Sequence, residues 1–398
     1  MKILIVHNDY GKYSGEEAVV DQYIADDRAS GFEVEVMRRT SKFQRDTLWG
    51  KIHGFFSGVY SASGVHMMRN AIRVFQPDVV HIHNLYPFIS PAVLFPCRQA
   101  GIPVVMTVHN YRLLCPNGLF LRDQHPCEEC LVSGNEWNCV RHNCEGQISR
   151  SFGYALRSVT ARTSRAYIDN VTYFCCLTEF QKRKLIEGGF PEEKLLVFPN
   201  YIESHIPVTR ESEAHAHYKE KQFVGYVGRL SHEKGYDLLL EVARRHPDIP
   251  FRFAGLPRDN EPTPALPNVE YCGMLDKVTL SEFYRNAHFI VIPSRCYEGF
   301  PLVLLEAYNY GKPCIVPNHA AFPDLLRDGD KLCGRTFQPL SIDDLERQVV
   351  EFWNSPDEVC QCGINAASNL KTHYQKDDLT ARWARFMRDL ASEKDSLK

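Results

Sequence analysis

Pro293-Ser294-Arg295-Cys296-Tyr297-Glu298-Gly299-Phe300-Pro301-Leu302-Val303-Leu304-Leu305-Glu306-Ala307 is the stretch from which the fold can be read. The apolar run Phe289-Ile290-Val291-Ile292 enters it and has the pattern of a strand buried on both faces. A loop with Gly299 follows. Pro301 then stands where a helix would begin, its fixed φ suiting the first helical position. Leu302 to Tyr308 are good helix formers. This reading puts Glu298 in the loop at the strand's carboxyl end and Glu306 about two turns into the helix. In an open α/β sheet that edge is where ligands bind, and the helix start favours an anion. Two carboxylates flanking an anion site suit hydroxyls, which describes a nucleotide carrying sugars at both ends.

A second stretch supplies the countercharge. Phe223-Val224-Gly225-Tyr226-Val227-Gly228-Arg229 is a strand running into a loop, continued by Leu230-Ser231-His232-Glu233-Lys234-Gly235 and an apolar-periodic helix from Tyr236. Arg229 and Lys234 therefore emerge at the same carboxyl edge, Arg offering a fork of donors to phosphate and Lys a mobile point charge. The Gly-Arg…Glu-Lys-Gly stretch, the two glutamates with seven residues between them, and Pro-Ser…Glu-Gly-Phe-Pro together resemble glycosyltransferase family 4 over nearly the whole chain. That family holds retaining sugar-nucleotide enzymes of GT-B architecture, two doubly wound Rossmann-like domains facing across a cleft. The resemblance implies that Arg229 and Lys234 hold the donor diphosphate, with the N–H groups around Phe300, Pro301 and Leu302 beside Gly299. It also implies that Glu306 takes the ribose hydroxyls and Glu298 those of the donor sugar.

Length and composition fit this picture. The 398 residues suggest two domains, and no tract is repetitive or of low complexity. A net charge of −3 carries no nucleic-acid signature. Ile3-Leu4-Ile5-Val6 is too short for a signal h-region, and no apolar run approaches a membrane span. Fourteen cysteines without an export signal point to a reducing compartment, so the chain is expected to be cytoplasmic.

The first half alternates strands and helices. Lys2 to His7 reads as a strand, followed by a loop in which Gly15 would let backbone approach a donor and Ser14 would cap a helix. The family segment carries two adjacent glycines where this chain has Ser14 and Gly15, and an ordinary strand-to-helix turn is the competing reading. Further buried strands cover Val79 to His83 and Val104 to His109, each ending in a histidine. By resemblance, His109 faces the reacting centre, whereas His81 and His83 read as packing or capping groups. Residues 38–73 and 150–165 interleave Arg and Lys with aromatics, which suits contact with an anionic membrane or, equally, a solvated face over core aromatics.

The insertion after His109 carries Cys115, then Cys127, Cys130, Cys139 and Cys144. A Cys-x-x-Cys pair followed by two more cysteines has the look of a structural zinc site of Cys127, Cys130, Cys139 and Cys144, with His142 able to replace one sulfur. Free thiols or a disulfide are the alternatives. Cys175 and Cys176 sit in an apolar run and read as buried small hydrophobes.

The expected organisation is an acceptor-binding domain over 1–205 with its Cys-rich insertion at 115–144. A nucleotide-sugar-binding domain over 206–374 follows, and a final helix within 375–398 returns to the first domain. The implied reaction is transfer of a sugar from a nucleoside diphosphate sugar to a hydroxyl of a glycan or polyprenyl-linked acceptor, with His109, Glu298, Arg229 and Lys234 at the reacting centre. No paired aspartates are placed to hold a catalytic divalent ion. A nucleotide-sugar epimerase or phosphorylase on the same architecture, or a non-catalytic sugar-nucleotide- or glycan-binding protein, are the rival readings.

Overall fold

Short apolar runs alternating with helical segments close into two parallel sheets. The structure is a computed structural model, and it describes residues 1–10, 14–40, 55–203, 222–258 and 261–396. Two units are present, one of Met1–Phe120, Glu128–Asn200 and Asp377–Lys398, the other of Leu121–Cys127 and Tyr201–Lys376.

The first unit is built on strands β1 (Lys2–Asp9), β2 (Glu33–Thr40), β3 (Val79–Asn84), β4 (Val104–Val108), β5 (Tyr173–Cys176) and β6 (Leu195–Val197). Their spatial order is β2-β1-β3-β4-β5-β6, all parallel. Every residue of β3 and β4 is buried, as both-face coverage by helices demands. Helix α1 (Gly15–Ala29) follows β1. Ser14 occupies its N-cap position and forms a capping box with Glu17. Glu17 takes the N–H of Ser14 at 2.6 Å and of Tyr10 at 2.9 Å. Helix α2 (Ile148–Thr163) follows the cysteine-rich insertion.

The second unit carries β7 (Phe223–Val227), β8 (Phe251–Ala254), β9 (Val269–Gly273), β10 (Ala287–Val291), β11 (Cys314–Pro317) and β12 (Gly334–Phe337). Their order, β9-β8-β7-β10-β11-β12, reverses between β7 and β10, and ligands of doubly wound sheets bind at such a switch point. Helix α3 (Tyr236–Arg245) follows β7, and α4 (Leu302–Asn309) follows β10. Pro301 stands one place earlier than its sequence suggests. It is the extended N-cap of α4, with ψ 110°, and the helix proper starts at Leu302.

The last helix, α5 (Lys376–Ser396), packs on the first unit. Trp383 is buried against Tyr23 and Phe198 and donates Nε1–H to Asp27 Oδ1 at 3.0 Å. Asp27 is itself buried, and its Oδ2 has no hydrogen-bond partner among the described residues. Burial pushes this carboxyl up to about 7, against the opposing pull of the Trp383 bond. The folded state therefore keeps a proton that the unfolded chain gives up near its ordinary value of 3.8. Stability from this group is complete below that value and is lost as pH rises through about 7. Asp27→Asn keeps an acceptor for Trp383 and removes the slope. Denaturant unfolding is expected to show little difference from wild type near pH 4 and a gain of roughly 2–4 kcal/mol at pH 8.

Candidate active site

In the second unit, the loops after β7 and β10 meet because these strands are neighbours running the same way. Gly235, at φ 70°, turns the β7 loop into α3 so tightly that a Cβ there would stand 1.9 Å from the carbonyl oxygen of Pro293. Only glycine permits that approach, which accounts for the Glu-Lys-Gly sequence. The contact brings Lys234 beside the β10 loop, where its Nζ lies 2.6 Å from Glu298 Oε1. Ser294 donates its hydroxyl to the same oxygen at 2.7 Å. Burial would raise the Glu298 carboxyl, but the Lys234 ammonium more than offsets it, so Glu298 stays below the usual carboxylate range. Burial likewise works against the charge on Lys234, and Glu298 restores and raises it. Both groups are ionised at neutral pH.

Arg229 projects from the same edge with its side chain 62% exposed, loosely held by Glu233 at 3.7 Å. Glu233 is engaged by Arg258 at 2.8 Å. Farther along α4, Glu306 accepts a 2.6 Å bond from the Tyr284 hydroxyl, while burial raises its carboxyl above the ordinary value. Lys234 and Glu298 are thus paired with each other, Arg229 lies largely exposed beside Glu233, and Glu306 is held separately. The Leu304 N–H bonds the Pro301 carbonyl at 3.0 Å, and the start of α4 presents the positive end of the helix at this edge. Arg295 gives no signal in the sequence and is buried behind this loop. Its two terminal nitrogens clamp Asp237 at 2.6 and 2.7 Å, and one also donates to the His232 carbonyl.

On the first unit, His109 follows β4, and its Nε2 lies 2.8 Å from Nδ1 of His83. His81 instead bonds Thr107 Oγ1 at 2.8 Å inside the core. Close by, four residues that sequence reasoning passed over form a network: Glu16, Tyr10, Asn110 and Arg112. The Tyr10 hydroxyl bonds Glu16 Oε2 at 3.0 Å, Asn110 reaches the same oxygen at 3.4 Å, and Arg112 donates to the Tyr10 hydroxyl at 2.9 Å. Burial lifts the Glu16 carboxyl to about 7 despite Arg112. Gly118, at φ 78°, lets the loop close on Arg112, whose Cγ a Cβ would meet at 2.6 Å. Gly15 simply opens α1, exposed.

The cysteine-rich insertion lies among the described residues. All its cysteines are free thiols. Among the described residues, no three of Cys127, Cys130, Cys139 and Cys144 bring their sulfurs within 4.8 Å of one another; the group that meets this spacing is His7, Asp9 and Glu17. Cys139 and Cys144 do meet, and their hydrogen bond, with burial and the nearby Cys115 and Cys130, raises the Cys139 thiol. His142 bonds Glu129 at 3.2 Å.

The two basic stretches are also less open than their composition suggests. Arg38 pairs with Asp9 and Asp21, both at 2.7 Å. Arg150, Arg162 and Arg165 pair with Glu145, Glu136 and Asp169. Arg157 is buried, stacked over Tyr154 and Tyr86. Residues 41–54, with Lys42, Arg45, Trp49 and Lys51, lie outside the described residues. What stands out is apolar: Phe56, Tyr60, Trp137, Ile148 and Phe152 are exposed, and ring contacts run from Phe56 through Phe55 and Phe152 to Trp137. No helix among the described residues is long and apolar enough to cross a membrane.

With this geometry in place, comparisons with known proteins agree in direction. The family described as "Glycosyltransferase Family 4" matches residues 14–205, and "Glycosyl transferases group 1" matches residues 208–369. An "Uncharacterized 41.2 kDa protein in cps region" of Klebsiella pneumoniae is 27% identical over 46% of this chain and 53% of its own length. The chain thus spans about half the length of that relative. The lipopolysaccharide core biosynthesis mannosyltransferase LpsB of Rhizobium meliloti is 30% identical over 32% of this chain and 40% of its own. Among solved structures, HepE of Anabaena in complex with UDP superimposes with a TM-score of 0.64 at 14% identity, covering 98% of this chain and all (100%) of that one, which establishes likeness of fold.

The geometry separates two arginines by role. Arg295→Ala strands Asp237 without its clamp and is expected to cost about 2–4 kcal/mol of stability. Arg229→Ala removes an exposed cation and is expected to stay within about 1 kcal/mol of wild type. Chemical denaturation of the two variants side by side checks the contrast, and equal losses would contradict it.

Proposed function

Because the chain belongs to the family-4 glycosyltransferases, we propose that it transfers a sugar from a nucleoside diphosphate sugar to a hydroxyl of a glycan or polyprenyl-linked acceptor, with retention at the anomeric carbon, in surface-polysaccharide assembly. The observation that carries the reading is the exposed Arg229 beside the ionised Lys234–Glu298 pair at the switch point of a doubly wound sheet. Support for the donor comes from the UDP held by HepE, and for the pathway from the names of the cps-region and lipopolysaccharide-core relatives.

In this reaction the bond from the anomeric carbon to a phosphate oxygen breaks and a bond to the acceptor oxygen forms. The acceptor's proton leaves with the diphosphate. Arg229, Lys234 and the α4 N–H groups neutralise the negative charge that grows on the leaving group, an electrostatic task that preorganised donors perform well. Glu306, oriented by Tyr284, accepts the ribose hydroxyls. Glu298, kept ionised by Lys234 and bonded by the Ser294 hydroxyl, accepts hydroxyls of the donor sugar. His109 contacts the donor near the anomeric carbon. The reading calls on no catalytic metal.

Incubation with a panel of labelled sugar nucleotides, with coupled detection of released nucleoside diphosphate, tests the proposal. Release that needs an acceptor supports transfer; an epimerised sugar, or binding without turnover, supports the rivals. Arg229→Ala and Glu306→Ala are each expected to lower kcat/KM by about 10²–10³-fold, equivalent to a few kcal/mol of transition-state stabilisation, with folding intact.

A second reading concerns location. The exposed aromatic and aliphatic patch of Phe56, Tyr60, Trp137, Ile148 and Phe152 suits insertion into a lipid headgroup layer. Co-sedimentation with vesicles containing phosphatidylglycerol is expected for wild type and lost in the Phe56→Ser, Phe152→Ser double variant. Wild-type protein that stays in the supernatant refutes this contact.

A further inference from the structure

The histidines at the carboxyl edge of the first sheet do more than pack. We infer that His83 is a positioning residue for His109, donating its Nδ1–H to His109 Nε2 and so keeping the His109 proton on Nδ1, where it faces a substrate oxygen as a hydrogen-bond donor. The inference deepens the reading of His109 as a donor contact and rests on it.

The argument begins from geometry. The two rings lie nearly parallel, 5.1 Å apart with 21° between their planes, and Nδ1 of His83 stands 2.8 Å from Nε2 of His109. That separation is a full hydrogen bond, so one nitrogen carries the proton and the other accepts it. Both rings are neutral. Burial, together with the neighbouring His81, His109, His7 and Arg38, holds His83 well below its ordinary value, and burial followed by His7 brings His109 to about 3. A neutral imidazole has one proton to place, and its position on either ring decides both.

The other nitrogen of His83 breaks the tie. Among the described residues His83 Nε2 is buried without a hydrogen-bond partner, and its ring is flanked by His81 at 4.1 Å, Tyr23 at 5.4 Å and His7 at 6.3 Å. Were His109 to donate, the His83 proton would have to sit on Nε2, an orphaned N–H in an aromatic enclosure. When His83 donates, the atom left alone there is a lone pair. Orphaned buried donors are the rarer and costlier of the two vacancies. His109 then accepts at Nε2 and carries its hydrogen at Nδ1. Both histidines line a cavity of about 20 Å³ with Asn84, Asn110, Arg112 and Tyr167, room for roughly one water or one hydroxyl. An N–H donor suits a sugar oxygen or a phosphate oxygen there, and it is available without a charged imidazolium.

Long-range ¹⁵N–¹H correlation spectra of the full chain labelled at its histidine ring nitrogens read the tautomer directly, with His109→Gln identifying the signal. His109 is expected in the Nδ1–H form in wild type. His83→Asn, whose amide N–H can occupy the place of Nδ1, is expected to keep that form and to hold kcat within about threefold. His83→Leu is expected to release the His109 proton to Nε2 and to lower kcat at least tenfold, with a smaller change in KM for the donor. An Nε2–H signal for His109 in wild type overturns the inference, as does an unchanged tautomer in His83→Leu. Should His83→Leu fail to fold, the wild-type spectrum and His83→Asn still decide. If the Nδ1–H form is present but His109→Gln retains full turnover, the role of His109 in transfer falls while the His83 pairing stands.

Discussion

One salt bridge, Lys234 to Glu298, fixes the geometry on which the second unit's edge depends. It joins loops that are 64 residues apart in the chain. Three features hold those loops in place: the approach of Gly235 to Pro293, the Ser294 hydroxyl on Glu298, and the Arg295–Asp237 clamp behind them. An isolated buried pair of this kind adds little to stability, because desolvation consumes much of the attraction. Its value lies in keeping both charges present and aimed before a ligand arrives. A carboxylate that stays ionised accepts hydroxyl protons well, and an ammonium restrained at 2.6 Å needs little reorganisation to meet a phosphate.

How far the sequence alone reveals this depends on whether the signal is local. The strand–loop–helix order around Glu298 and Glu306, and the Arg229 to Gly235 loop, were legible because each is written in consecutive residues and each sits at a sheet's carboxyl edge by topology. Pro301 fell one place off because helix boundaries turn on cap dihedrals that composition does not encode. Arg295 was not legible because its partner lies 58 residues away, and nothing near it announces an Asp. The same holds for Arg157, which reads as one more surface cation yet is buried over two tyrosines. Ser14 was legible as the cap of α1, whereas the reach of Glu17 to the Tyr10 N–H depends on the fold of the loop before it.

The cysteine-rich insertion shows what spacing alone leaves open. A Cys-x-x-Cys pair predicts ligand atoms converging on a point, but convergence also requires the intervening turns to aim the sulfurs inward. Here Cys139 and Cys144 meet as thiols, while the first part of the loop is organised by Arg112, Asn110 and Gly118. Polar side chains, not sulfurs, tie that segment to the Glu16 network.

The two sheet edges solve opposite electrostatic problems. In the second unit burial works against charge and loses, since Glu298 and Lys234 each hold the other ionised. In the first unit burial wins. His7 is brought down to about 4, His81 and His109 to about 3, and Glu16 is lifted to about 7. The neutral imidazoles of this edge offer directional hydrogen bonds, while Arg112 keeps its charge beside Tyr10 and Glu16. Such bonds suit uncharged hydroxyls, whereas an edge of fixed ions suits a diphosphate. Under the proposed function the leaving group gathers negative charge while the sugar and the acceptor present hydroxyls, so each kind of environment has a use. The division of chemistry between the units follows from which buried groups find an ionic partner and which do not.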